Sequence, residues 1–191
     1  MAEALREKIK IAAKKLGLEW FLTRSGGRYE SQPHAHRSES NTPCTTSLDC
    51  VTLEVLTPSR FPDAQAFYAS VGYYGAIAND STVFAARLDG KIIGVVRLAP
   101  EQGVTVLRGM MIAEDCQRNG IGSRMLRFME PYMGDSDVFC LPHGWLEEFY
   151  GQIGFVKIDP VKAPKHLQER LIDQKTKYSH MIIMSRRGKK L

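Results

Sequence analysis

The 191-residue sequence has no apolar run that approaches the roughly 20 residues needed to span a bilayer, so we expect no membrane-spanning helix. Cysteine is also scarce. The four cysteines, Cys44, Cys50, Cys116 and Cys140, lie far apart and lack the density of a disulfide scaffold, which favours reduced thiols and a cytoplasmic location. The N-terminus has no apolar core segment, so a signal peptide is not expected.

Familiar metal and phosphate motifs are missing as well. The residues His34, His36, Cys44 and Cys50 follow the spacing H-x-H-x7-C-x5-C, which matches no common zinc pattern, and we predict no metal site. The P-loop string G-x-x-x-x-G-K-[ST] does not occur, and no three-glycine dinucleotide fingerprint follows an early strand. The sequence therefore excludes the two commonest nucleotide-binding loops.

Charge is plentiful but unevenly placed. The net charge is +5, and the segment from Lys162 to Lys190 carries nine Lys or Arg against two acids, Glu169 and Asp173. Such a basic end can attract nucleic acid or an anionic ligand, but a solvated surface is the commoner outcome. A nucleic-acid partner is therefore not expected.

The chain divides in composition near residue 50. Residues 1–20 carry an apolar helical stripe with basic residues opposite, which predicts a small docking helix. An import presequence has a similar stripe but few acids, and Glu3, Glu7 and Glu19 argue against one, although the sequence leaves targeting open. Residues 24–50 are polar and rich in turn formers, which indicates a linker. The composition is also compatible with disorder of this segment. We assign residues 1–50 to this helix and linker and residues 51–191 to a folded domain.

Within the domain, hydrophobic periodicity predicts the order β-α-β-β-β-α-β-α-β-α-β. The dipeptide Asp89-Gly90 is the strongest hairpin signal in the chain. We predict strands over 51–56, on both sides of this dipeptide within 81–100, and over 104–112, 137–141, 155–158 and 178–184. Helices are predicted over 60–75, after residue 122, over 145–154, and over 164–177 as an exposed basic helix. This order describes a mixed α/β sheet rather than a doubly wound fold or a barrel.

The segment QRNGIG, residues 117–122, enters the second predicted helix of the domain. A glycine loop at a helix start directs several N–H groups at one point, where the helix adds about half a positive charge. Glycine leaves room for a bulky anion, and Arg118 can add a charge. These features predict an anion site that suits a diphosphate. Alone, a G-x-G string is also compatible with a merely structural turn.

Gly109 interrupts the predicted strand VTVLRGMMI just before this loop. A glycine inside a strand commonly marks a bulge or a close backbone approach. A bulge would splay this strand from the next and leave backbone groups facing an open slot, to which an amide-bearing ligand can add β-like hydrogen bonds. A diphosphate joined to an extended diamide describes coenzyme A.

IAEDCQRNGIGSRML resembles the signature [QR]-x-x-G-x-[GA] of the GNAT acetyltransferase superfamily, and WLEEFYGQIGF resembles its second motif. The resemblance covers about residues 51–187. It implies an α/β GNAT fold, in which helices flank a mixed, mostly antiparallel sheet of about seven strands that splays between the fourth and fifth. It also implies an N-acetyltransferase that takes acetyl-CoA as co-substrate and an amine as acceptor. Members of the family commonly form homodimers, and the sequence does not indicate the oligomeric state of this protein.

The resemblance assigns roles to particular positions. Main-chain groups of Met110, Met111 and Ile112 would bond the pantetheine arm. Gln117 would open the loop that holds the diphosphate, and its other members are Arg118, Asn119, Gly120, Ile121, Gly122 and Ser123. Tyr150 stands where the family places a tyrosine that protonates the leaving thiolate. A core aromatic residue without a catalytic role is the alternative for Tyr150.

His143 stands where the family commonly has a cofactor-contacting Asn. It can make the same hydrogen bond, handle a proton near the thioester, or be an ordinary loop histidine. The general base is not identified, because the fourth strand offers Arg108 and no acid. Asp137 lies near the start of the fifth strand, Glu114 and Asp115 lie on the loop, and ordered water is a further alternative.

We therefore predict acetyl transfer to an amine by direct attack in a ternary complex, with a ping-pong route through Cys140 as a variant to exclude. The rival hypothesis is a non-catalytic GNAT-like module that binds acyl-CoA or another partner. The acceptor itself, whether a small amine, an amino acid or a protein amine, is not indicated by the sequence.

Overall fold

The computed structural model describes residues 50–188. In this range one seven-stranded sheet has the order β1-β2-β3-β4-β5-β7-β6. Its strands are β1 (Thr52–Leu56), β2 (Thr82–Leu88), β3 (Lys91–Glu101), β4 (Val104–Ile112), β5 (Val138–Cys140), β6 (Val156–Lys157) and β7 (Met184–Arg186). The helices are α1 (Phe61–Ser70), α2 (Ile121–Met129), α3 (Glu147–Gly151) and α4 (Lys165–Lys177). The predicted fold class and element order are confirmed.

The predicted hairpin at Asp89-Gly90 joins β2 to β3. Both residues have positive φ, 48° at Asp89 and 77° at Gly90, and Leu88 pairs with Lys91 across the turn. Two successive positive φ angles are what a two-residue type I′ turn requires, and this turn matches the right-handed twist of the strands.

Helices cover both faces of the sheet because side chains alternate along β2. Val83 and Ala85 point to one face and pack in a cluster with Phe67 and Tyr68 of α1. Phe84 and Ala86 point to the other face, where Met125, Leu126 and Met129 of α2 are fully buried. The central strands are therefore buried on both sides.

Three element predictions need correction. The last strand begins at Met184 rather than near residue 178, because before it Met181 forms only an isolated bridge with His143 and no continuous ladder. The side chains of Met181 and Ile183 pack in a cluster with α4. Helix α4 is not exposed all round, since Leu167 and Leu171 lie in that same cluster. Helix α3 starts only at Glu147, after a 3-10 turn over Gly144–Leu146 that leaves Trp145 67% exposed and off the predicted apolar face.

The predicted N-terminal helix and linker lie outside the described residues, as do His34, His36 and Cys44. Within residues 50–188 no helix is both long and apolar enough to cross a membrane. The same residues contain no group of three or more His, Cys, Asp or Glu side chains placed to hold a metal ion.

A bulge lies at Gly109, as its position in the strand predicts. Arg97 of β3 pairs with Arg108, and Val95 pairs with Met111, so Gly109 and Met110 together oppose the single residue Val96. Gly109 has a φ of +61°, in the left-handed region that favours glycine. The extra residue bends β4 where its far edge begins to leave β5.

Strands β4 and β5 are parallel and pair only through Thr105 with Val138 and Val106 with Phe139. Beyond Val106 no described strand pairs with the edge of β4 that faces β5. The predicted splay is therefore present, and it leaves a slot between the two strands.

Tyr68 of α1 fixes the bulge from the opposite face. Its hydroxyl donates a hydrogen bond to the Gly109 carbonyl oxygen at 2.8 Å, and its side chain is fully buried. A Cβ atom at position 109 would lie 2.5 Å from Tyr68 Oη, so the contact excludes any side chain there.

We expect Gly109→Ala to destabilise the fold by at least about 1 kcal/mol more than Gly103→Ala. Gly103 has a similar positive φ, +85°, but its Cβ would meet nothing within 4 Å. Both variants carry the left-handed strain of alanine, and only the first displaces Tyr68. Urea denaturation measures both free energies of unfolding, and equal losses would show that the Tyr68 contact does not hold the bulge.

Candidate active site

Two cavities meet at three residues, Met110, Leu146 and Tyr150. The loop cavity, of about 390 Å³, lies between the end of β4, the loop after it and the start of α2. The inner cavity, of about 420 Å³, runs along the splayed edge of β4 toward β5 and α4. Tyr150 therefore borders both cavities.

Most of the predicted binding residues line the loop cavity. They are Met110, Ile112, Gln117, Arg118, Gly120, Ile121, Gly122 and Ser123. Met111 and His143 line the inner cavity instead. Asn119 lines neither, and its side-chain amide makes a long 3.5 Å contact with the Cys116 carbonyl.

The start of α2 offers unused hydrogen-bond donors to the loop cavity. Gly120 is the N-cap, with a φ of +76°, and no side chain caps the helix. The main-chain N–H groups of Ile121, Gly122 and Ser123 donate to no other described residue, as is usual for a first helical turn. These donors and the helix dipole favour an anion at this point.

Glycine at 122 has a packing reason as well. A Cβ there would lie 3.1 Å from the Phe149 ring of α3, so its absence allows α2 and α3 to approach closely. Gln117 braces the other side of the loop, because its Nε2 donates to the Ile112 carbonyl at 3.0 Å. The side chain of Gln117 therefore orients the end of β4.

Tyr150 lies on α3 at the junction of the cavities and is 6% exposed. Its ring packs against Phe149 and Phe155, with centroids 5.0 and 6.1 Å away. Burial raises the pKa of Tyr150 far above its ordinary value, and the nearby Cys140 and Tyr68 raise it further. The phenol is therefore protonated throughout the neutral range and holds a proton to donate.

His143 follows β5 at the rim of the inner cavity. Its ring stacks on Trp145 at 4.3 Å between centroids, and its buried Nδ1 has no hydrogen-bond partner among the described residues. Partial burial lowers the pKa of His143, and the charge of His180 lowers it further. The imidazole is neutral at pH 7 and able to accept a proton.

The carboxylates named as candidate bases do not reach the junction. Glu114 and Asp115 are exposed and line neither cavity, and Asp137 accepts a hydrogen bond from the Gly188 N–H at 3.1 Å, also away from the cavities. Cys140 does line the inner cavity, but burial raises the pKa of its thiol well above the ordinary range. A protonated, buried thiol is a poor nucleophile.

Sequence reasoning missed an ion cluster beside the inner cavity. Glu101, at the end of β3, accepts hydrogen bonds from Arg108 at 3.0 Å and from Arg170 of α4 at 2.6 Å. Burial alone would raise the pKa of Glu101, but the hydrogen bonds and charges of the two arginines outweigh it and lower the pKa. Glu101 therefore stays ionised and serves as an anchor for the two arginines rather than as a base.

The sequence did contain a signal for a buried arginine next to this cluster. Arg97 sits in the buried run VVRLAP of β3, where a charge is out of place unless something binds it. The pairing of Glu101 with Arg170 had no such signal, because 69 residues separate them.

Comparison with known proteins agrees with this architecture. Residues 79–157 match the family model described as an acetyltransferase (GNAT) domain. No curated protein matches the chain in sequence.

Solved structures share the fold at low identity. N-acetylglutamate synthase from Neisseria gonorrhoeae, complexed with coenzyme A and N-acetyl-glutamate, is 16% identical with a TM-score of 0.54. That match covers 73% of this chain but only 35% of the synthase, about a third of its length. Escherichia coli ElaA is 12% identical with a TM-score of 0.55, over 71% of this chain and 99% of that one. A GNAT family acetyltransferase from Streptococcus pneumoniae is 15% identical with a TM-score of 0.51, over 71% and 98% of the two chains.

The chain has the fold of these solved structures, and its residues 79–157 are similar to an acetyltransferase (GNAT) domain.

Proposed function

We propose that this protein transfers an acetyl group from acetyl-CoA to an amine by direct attack while both substrates are bound. The observation that supports this most directly is the meeting of the loop and inner cavities at Met110, Leu146 and Tyr150. A thioester in the first cavity and an amine in the second can approach each other only at this junction.

The loop cavity fits coenzyme A by its donors and its shape. The free N–H groups at the start of α2 suit the diphosphate, and Arg118 adds a charge. The unpaired edge of β4 beyond the bulge offers main-chain groups to the amides of the pantetheine arm. In this arrangement the thioester reaches Tyr150 at the cavity junction.

The chemistry then requires one bond to form and one to break. The neutral amine nitrogen attacks the thioester carbonyl carbon, and the C–S bond breaks as the C–N bond is completed. Tyr150 gives its proton to the departing sulfur, and the nitrogen loses a proton to His143 Nδ1 or to water. Because burial makes Tyr150 costly to ionise, its proton moves late, once the sulfur carries negative charge.

Direct attack is favoured over an acetyl-enzyme on Cys140 because burial keeps this thiol of the inner cavity protonated. The test of the function is release of free CoA from acetyl-CoA across a panel of amines, with the intact protein mass recorded before acceptor is added. We expect CoA release with an acceptor and no mass gain without one. A stable acetyl adduct would contradict direct attack, and no release with any amine would contradict the transfer.

Gly120→Trp should abolish the rise in melting temperature that coenzyme A gives the native protein, because the indole fills the loop cavity at the start of α2. Gly90→Trp is the matched control, since Gly90 has nearly the same φ, +77° against +76°, and lies in the distant β2–β3 hairpin. Differential scanning fluorimetry compares the shifts. Equal stabilisation of both variants would place coenzyme A elsewhere.

Tyr150→Phe should lower kcat by about 10²-fold or more while coenzyme A affinity stays nearly unchanged, because only the donated proton is lost. Tyr132→Phe, at a 51% exposed tyrosine far from the junction, controls for the substitution itself. Steady-state kinetics and calorimetric binding separate the two effects. Turnover that survives in Tyr150→Phe would remove this residue from the mechanism.

His143→Gln should lower turnover by about 10²-fold and remove an acid limb from the pH profile. Only neutral imidazole accepts a proton, so activity should rise with pH through the pKa of His143, which lies below the ordinary value. His180→Gln should move this limb to higher pH, since repulsion from His180 is one cause of the lowered pKa. An unchanged limb in His143→Gln would assign the base to water or another group.

A further inference from the structure

A third cavity, of about 350 Å³, adjoins the inner cavity on the side away from β5. We call it the arginine cavity, because three guanidinium groups line it together with one carboxylate, from Arg97, Arg108, Arg170 and Glu101. Arg108 and Arg170 also line the inner cavity, so the two spaces share a wall.

Arg97 is the unusual member of this group. It is 1% exposed, and its Nε and Nη1 make no hydrogen bond to any described residue. Its guanidinium lies 5.5 Å from the ring centroid of Tyr68 and 5.7 Å from that of Tyr73, contacts that offset part of its desolvation. No carboxylate among residues 50–188 forms a salt bridge with it. A buried charge in that state is costly unless a ligand completes it.

The neighbours of Arg97 are also short of acceptors. Glu101 accepts hydrogen bonds from Arg108 and Arg170, and it forms no salt bridge with Arg97. Arg170 Nη1, Ser81 Oγ and His166 Nε2 are buried without partners in the described structure. Three guanidiniums against one carboxylate leave the cavity with an excess of positive charge and of unused donors.

We propose that the arginine cavity binds an oxyanion carried by the acceptor amine, either a carboxylate or a phosphate, with Arg97 as its principal contact. This inference rests on the proposed function and narrows its acceptor class. A guanidinium can bond two oxygens of either group, and Nε and Nη1 of Arg97 are both without hydrogen-bond partners in the described structure.

The strand register places this anion site near the transfer junction. Arg97 pairs with Arg108, which lies two residues before Met110 at the junction. Two residues of strand span about 7 Å, so the amine and the oxyanion belong to one small molecule. The same positive charge disfavours polyamines and lysine-rich peptides, since their remaining cations would meet three guanidiniums.

The experiment compares kcat/KM for acetyl transfer between acceptors that differ only in the anion. L-amino acids are paired with their amides, and O-phosphoethanolamine is paired with ethanolamine, each at equal concentration of unprotonated amine. We expect the anionic member of at least one pair type to be preferred by 100-fold or more, and the pair that shows it identifies carboxylate or phosphate.

Arg97→Met should reduce that preference at least tenfold, while Arg127→Met, at an exposed arginine of α2, should keep it. The melting temperature of Arg97→Met without ligand should match or exceed that of the native protein, because a buried charge without a salt-bridge partner is removed. Arg170→Met is a second variant from the partly exposed side of the cavity, in case the first does not fold.

Two results would overturn the inference. The first is equal kcat/KM for the anionic and neutral members of every pair. The second is a full preference for the anion in a folded Arg97→Met protein. Either result would reject the anion site without contradicting acetyl transfer. Failure of coenzyme A to stabilise the native protein, with no transfer to any amine, would count against the proposed function instead. In that case the anion site is tested directly by the change in melting temperature of the native protein when L-glutamate or O-phosphoethanolamine is added. If neither ligand raises the melting temperature, the anion site is rejected as well.

Discussion

A hydrogen bond between α1 and β4, from Tyr68 Oη to the Gly109 carbonyl, connects the features on which the site depends. It holds the bulge at Gly109 and Met110 in the pairing with β3, and the opposite edge of β4 is unpaired there because β5 pairs only as far as Val106. In the proposed function, this unpaired edge lets both substrates reach Tyr150. Tyr68 also packs against the Arg97 guanidinium, so one buried tyrosine supports the strand geometry on one side and the anion site on the other.

The loop cavity and the arginine cavity are both positively charged regions, but their positive potential has different origins. At the loop cavity the positive potential comes mainly from the backbone, through the free N–H groups of α2, with Arg118 as an addition. At the arginine cavity it comes from side chains held by Glu101 and by aromatic rings. Backbone donors are fixed by the fold, whereas guanidinium groups depend on their neighbours for position.

Local features of the sequence predicted the fold well. Asp89-Gly90 predicted the hairpin and Gly109 the bulge, because each reflects a backbone conformation that few residues adopt. The loop from Gln117 to Gly122 predicted an anion site that its free N–H groups support. Prediction failed where distant contacts decide the outcome. Glu101 and Arg170 meet only after folding, and Trp145 turns outward after a 3-10 turn. Met181 and Ile183 pack against α4 before the last strand begins.

The parallel pairing of β4 with β5 consists of two residue pairs, and the loop and inner cavities share only Met110, Leu146 and Tyr150. Substitutions at sites without shared partners act nearly independently on free energy. Changes in α4 or at the Arg97 end can therefore alter which amine is accepted without disturbing the loop before α2. Under the proposed function, acceptor choice can drift in evolution while the donor side stays constant, provided that Met110, Leu146 and Tyr150 are kept.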